Sequence, residues 1–221
     1  MMEFYLREVY PWLIKASTYS FLIPLVAGFI LLPKRKSRLF RLLLFYAGFI
    51  GLGEVVSQLT VFLGTNNNLW LGHLFTPLDF LLLATIYYFS FEKRLIRRSI
   101  QVMVAVVVGF SASSVLWGEA ITQMNSQPRM LAGLLLLCMA VLYLYQLISK
   151  PNYVFVDRDP IFVLSAGVIV FQAGTAMAYN LFNEALAESY DAARMCLSVI
   201  LVLNILFRVV LMMAIRRAPV V

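Results

Sequence analysis

Charge is scarce in this sequence. Asp, Glu, Lys and Arg make up 13% of its 221 residues, about half the roughly 25% of an ordinary soluble domain. No stretch is long enough and polar enough to build a separate soluble domain. Hydrophobic residues instead reach 62%, mean hydropathy is +0.86, and apolar runs recur along the whole length. The composition describes one polytopic membrane domain over residues 1–221. The runs are too long and continuous for the alternating strands of a closed barrel, which span about ten residues. Lipid offers the backbone no hydrogen-bond partners, so these runs are expected to be α-helices.

Reactive side chains are scarce too. The two cysteines, Cys138 and Cys196, sit inside apolar runs with no CxxC spacing, which supports neither metal nor redox chemistry. Both read as small buried residues. His73 is the single histidine, and the sequence contains neither GxSxG nor HExxH, so the common hydrolase schemes lack parts. The last apolar run has no lysine for a retinal Schiff base. Low-complexity segments are absent and no internal repeat is convincing, although seven spans accommodate a three-plus-one-plus-three arrangement. The N-terminal MMEFYLREVY carries both charge signs and enters a run too long for a signal-peptide core, so it is expected to be retained.

What is present divides into seven runs of the length a span needs, about 20 residues: 10–32, 41–64, 69–91, 99–117, 129–148, 160–182 and 192–215. The fourth is the shortest, and Ser111, Ser113 and Ser114 make it more polar. The expected fold is all-α, a polytopic membrane protein built as a seven-transmembrane-helix bundle. Turn chemistry fits the spacing. Asn66 to Asn68 separate the second and third runs, and Asn125-Ser126-Gln127-Pro128 precedes the fifth. Asp157-Arg158-Asp159-Pro160 opens the sixth, with Asp159 as N-cap and Pro160 in the first turn.

The net charge of +7 sits in short segments beside the apolar runs, not in a continuous basic face, which argues against nucleic acid as a partner. Placing the N-terminus outside assigns thirteen basic residues to cytoplasmic segments: Lys34, Arg35, Lys36, Arg38, Arg41, Lys93, Arg94, Arg97, Arg98, Lys150, Arg158, Arg216 and Arg217. Four remain external, Arg7, Lys15, Arg129 and Arg194, and Arg208 lies within the last run. That asymmetry predicts an N-terminus outside and a C-terminus in the cytoplasm. The bilayer is the first partner, with Trp70 in its aromatic belt.

Several polar residues fall at membrane depth. At a rise of about 1.5 Å per residue, Glu54 in the second run and Asp79 in the third reach the midplane, and Gln172 and Asn204 lie at similar depth. Such groups are costly in lipid and normally face the bundle interior or a wet cavity. Small and polar residues accompany them at helical spacing: Ala47, Gly51, Ser57 and Gln58 around Glu54, Gly72 and Thr76 around Asp79, and Ser165, Thr175, Ala176 and Tyr179 around Gln172. Stripes of this kind also serve plain helix packing, so interhelical hydrogen bonding stands beside a functional role.

Two acids at one depth need a proton, a cation or a basic partner. The expectation is that Glu54 and Asp79 face each other, with at least one of them protonated or sharing a cation. Arg208 is a candidate partner, or it snorkels to the cytoplasmic interface. His73 lies one turn inside the external end and reads as an interfacial hydrogen-bonding residue or, with Glu54 and Asp79, as a metal ligand without a recognised motif. Pro77 is expected to kink or open the third helix. The candidate ligand- or ion-binding set is Glu54, Gln58, His73, Asp79, Gln172, Asn204 and Arg208, and the stretch from 65 to 83 would form one wall of an externally accessible cavity.

Glu54, the asparagine turn followed by LWLGHLFTPLDF, and DPIFVLSAGVIVF at the start of the sixth run resemble a family of bacterial seven-helix membrane proteins with no defined activity. The resemblance runs over the whole chain and implies the bacterial inner (cytoplasmic) membrane. From the residues themselves three function classes follow. The first is a sensor or binding module that recognises a small ligand, ion or lipid and relays it to a partner protein at the cytoplasmic face. The second is a small proton- or cation-coupled transporter, and the third a carboxylate-dependent intramembrane enzyme. The missing catalytic motifs tilt the reading away from the enzyme.

Overall fold

The computed structural model describes residues 2–65, 68–117, 121–149 and 158–220. Asn66, Asn67, Lys150 and Asp157 lie outside them. Among the described residues seven helices are long and apolar enough to cross a membrane: α1 (Tyr5–Leu31), α2 (Arg38–Phe62), α3 (Trp70–Ser90), α4 (Arg94–Trp117), α5 (Ser126–Ile148), α6 (Pro160–Glu188) and α7 (Tyr190–Arg217). The protein is thus an all-α, multi-pass membrane protein. The helices overrun the hydropathy windows at several ends, since polar residues in a last turn leave helical hydrogen bonding intact. α6 continues to Glu188 and α4 begins at Arg94.

Local chemistry explains the ends. The Ser37 hydroxyl accepts from the Phe40 amide to start α2, and Asp159 accepts from Ile161 and Phe162 to start α6 with Pro160 behind it. Gly64 ends α2 at φ +81°, with its own amide on Val61 and the Thr65 amide on Thr60, the paired bonds of a Schellman cap. Ser189 is the only residue between α6 and α7, and its hydroxyl caps Ala192. α3 runs unbroken through Pro77, so the proline does not open the helix as the sequence suggested. α1 carries the break instead, at Ser20 and Phe21. Pro24 has no amide to offer the Ser20 carbonyl and its ring crowds that group.

Contacts between helix ends fix the up-and-down arrangement. At the basic end, Lys36 and Ser37 bond to Val220 and Pro219, Arg38 lies over the Phe89 ring, and Tyr143 donates to Asp159. At the opposite end His73 meets the Gln123 carbonyl, and Asn183 clamps Met124 from both sides of its amide. α7 packs against α6, α1 and α2, while α4 packs chiefly against α3 and α5 at the periphery. The α6–α7 pair is the most extensive. A Cβ at Gly167 would lie 2.5 Å from Val210 and one at Gly174 2.7 Å from Leu203. The small glycine at 167 lets α6 close on the stiff Val210 side chain of α7.

The core is lopsided. Phe40, Leu43, Leu83, Tyr87, Phe91, Leu136, Met139, Leu164, Leu211 and Ile215 are buried together in the half of the bundle nearest the basic end. The other half holds a much smaller cluster around Ala178, Tyr179 and Ile200. Between the helices there, the bundle is hollow.

Candidate functional site

The hollow is a cavity of about 350 Å³, within the range of small-molecule sites. It is walled by α2, α3, α5, α6 and α7 and bordered at one end by Asn68, Leu69, Met124 and Asn125 of the α2–α3 and α4–α5 turns. Asn68 is tied to the Ser57 hydroxyl. The Asn183 clamp sets the second turn, so that Asn125 (1% exposed) drops into the bundle and donates to the Gly72 carbonyl (2.9 Å) and the Thr76 hydroxyl (2.8 Å). Its Oδ1 occupies the space where a Cβ on residue 72 would sit, 2.8 Å away. Gly72 is required by that close approach, and Gly133 makes the same room for the Gln172 amide.

Arg129, three residues into α5, turns back into the cavity. Its Nη2 donates to Thr76 (3.1 Å) and its guanidinium stands 4.4 Å over the Tyr179 ring, a cation–π contact that holds its plane. Nε is buried without a partner. Asp79, one turn below Thr76 on α3, accepts from the Tyr46 hydroxyl at 2.9 Å. Tyr46 is 2% exposed, so the carboxylate oxygen satisfies the hydroxyl of a buried tyrosine. Arg129 and Asp79 lie within electrostatic reach of each other.

Glu54 goes elsewhere. It is ion-paired with Arg208 of α7, whose side chain is 5% exposed. The same guanidinium donates to the Ser17 carbonyl and to the Ser20 hydroxyl (2.8 Å) at the break in α1. At the break the Ser17 carbonyl already accepts from the Ser20 amide and hydroxyl, so Arg208 adds a further donor there and ties α7 to the elbow in α1.

Five of the seven residues expected from sequence therefore line one cavity: Glu54, Asp79, Gln172, Asn204 and Arg208. The two acids bond to different partners, Glu54 to Arg208 and Asp79 to Tyr46. Arg208 faces inward and does not snorkel. Gln58 is exposed and His73 is turned to the α4–α5 turn, and neither lines the cavity. On α2 the cavity stripe is Tyr46, Phe49, Ile50, Gly53, Glu54 and Ser57. Ser57 and Gln58 flank Glu54 on either side, about 100° apart on a helix, and the cavity lies on the Ser57 side. With His73 turned away, Glu54, His73 and Asp79 do not converge, and no group of three or more metal-ligating side chains gathers among the described residues.

Sequence reasoning left Tyr46, Asn125 and Arg129 out of the site and named Tyr179 only as a companion of Gln172. Arg129 had a readable signal: a cation in the first turn of a helix opposes the helix dipole and needs a partner nearby. Comparisons with family models, curated proteins and solved structures find no match to this chain, so the site is read from its own geometry.

Proposed function

We propose that the chain is a membrane sensor or binding module that takes a small ligand from the N-terminal face of a bacterial inner membrane. The observation that carries this reading is the placement of the cavity, whose lining reaches the turns at Asn68 and Asn125. Polar groups line its depth, and a close-packed layer including Leu43, Leu83, Leu136, Met139 and Leu211 separates it from the basic end. A transporter needs access from both sides in turn, whereas a binding site needs one mouth and a floor. The relay is Arg208, which joins a cavity-wall carboxylate to the elbow in α1. A ligand that shifts the α2 wall of the cavity moves Glu54, and through Arg208 changes the hold on Ser17 and Ser20 and the seat of α1 against α7, a displacement for a partner protein to read at the cytoplasmic face.

Cysteine accessibility tests this reading. With Cys138 and Cys196 replaced by serine, Ala132→Cys on the cavity wall should react with a small impermeant thiol reagent added from the N-terminal face only. Ala140→Cys, two turns further along α5 and fully buried, should react from neither face. Labelling of Ala132→Cys from the basic side, or equal labelling of both positions, would establish a continuous path and favour the transporter. Orientation is tested in the same background. Thr65→Cys should label from outside intact cells, and Lys36→Cys only after the membrane is opened. The reverse pattern would overturn the assignment made from basic residues.

A further inference from the structure

The charges around the cavity balance, and half of them are already used. Glu54, Asp79, Arg129 and Arg208 all line it. Arg208 is committed to Glu54, Ser17 and Ser20. One cation and one carboxylate are left facing the same space from different helices. Among the described residues, Arg129 of α5 donates only to Thr76, with Nε buried and unpartnered, and Asp79 of α3 accepts only from Tyr46. Among the described residues Oδ1 of the buried Asn125 also lacks a partner. Phe49 and Phe75, 5.3 Å apart on α2 and α3, face this space, as do Phe171 and Phe207, 5.2 Å apart on α6 and α7.

In a low-dielectric cavity, a ligand of one charge would compensate one of these two groups and leave the other facing it unfavourably. A dipolar ligand with no net charge satisfies both. We propose that the cavity accepts a small zwitterion. Its anionic group sits on the Arg129 guanidinium, its cationic group on Asp79 and Asn125 Oδ1, and its apolar body lies between the two phenylalanine pairs. The assignment rests on the reading of the cavity as a one-ended binding site and adds the chemistry of its occupant.

Three probes of one shape test it on the wild-type protein in lipid nanodiscs: L-leucine, which is zwitterionic, leucinamide, a cation, and 4-methylpentanoate, an anion. Titration calorimetry should show saturable binding of leucine, with both singly charged probes at least tenfold weaker. Arg129→Gln should reduce leucine to the level of leucinamide, and Asp79→Asn should reduce it to the level of 4-methylpentanoate. Anion or cation binding as tight as leucine overturns the zwitterion assignment, and so does failure of all three probes to saturate. If the three fail while Ala132→Cys is reactive from the N-terminal face, only the ligand class is wrong. If that cysteine is unreactive, the binding-site reading fails with it. The panel needs no variant, so a poorly folding Arg129→Gln does not rescue the proposal.

Discussion

Arg208→Met should lower the stability of the detergent-solubilised protein by about 3–5 kcal/mol, the cost of breaking a buried ion pair from one side. The guanidinium serves three acceptors on two helices: the Glu54 carboxylate on α2, and the Ser17 carbonyl and Ser20 hydroxyl on α1. Methionine keeps much of the side-chain volume and removes every donor, so the loss comes chiefly from the stranded Glu54 carboxylate and not from a cavity. Glu54→Gln in the Arg208→Met background should then recover much of the loss, because the stranded group is no longer a charge. Arg7→Met is the control. Its pair with Glu3 is about three-quarters exposed on both sides, and such pairs contribute roughly 0–1 kcal/mol. Unfolding in graded denaturant, read by tryptophan fluorescence, separates the cases. If Arg208→Met unfolds with the wild type, or if Glu54→Gln deepens the loss, Arg208 does not hold α1 through Glu54.

That prediction concerns a residue the sequence marked only as an anomaly. An arginine within an apolar run is conspicuous, and its depth made Glu54 one candidate partner. Which way it points depends on α1, where the Pro24 break supplies acceptors almost 190 residues away in sequence. No periodicity within α7 carries that information. The helices themselves were legible because lipid imposes one rule on every span: an apolar length of about 20 residues with its backbone bonded internally. Pro77 shows the limit of residue-level rules. A proline removes one backbone hydrogen bond and crowds the preceding turn, yet α3 continues through it.

The depth of the polar groups was legible for the same reason, since a rise per residue converts position into height. Their facing was not. Glu54 and Asp79 share a depth and a cavity but look toward different neighbours, Arg208 on one wall and Tyr46 on another. Tyr46 sits in an apolar run where an aromatic residue signals nothing beyond burial. Arg129 was counted with the external segment because it stands at the first position of the fifth run, whereas α5 begins at Ser126 and carries it inside the helix. The hollow itself has no sequence signature. It exists because large side chains concentrate at one end of the bundle, a property of seven helices together.

Asp79 answers to a different test than Arg208, because its partner is neutral. Asp79→Leu should cost about 1–3 kcal/mol, the penalty for leaving a buried hydroxyl unpaired, since Tyr46 is 2% exposed and its hydroxyl bonds to Asp79. Tyr46→Phe alone removes the donor and leaves the carboxylate facing a cavity that water can enter, so it should be milder. Joining Tyr46→Phe to Asp79→Leu should then cost less than the sum of the single changes, because the second substitution removes the group that the first one stranded. Asp79→Asn keeps the shape and an acceptor for Tyr46 and should stay near wild-type stability. The four variants separate two roles in one carboxylate. Asp79→Leu loses both the hydrogen bond from Tyr46 and the charge, whereas Asp79→Asn loses the charge alone. If Asp79→Asn unfolds as readily as Asp79→Leu, the ionised group is itself structural and its place in the ligand site falls. If the double variant is as unstable as the sum, Tyr46 is not what holds Asp79 in the membrane, and Arg129 across the cavity takes over that assignment.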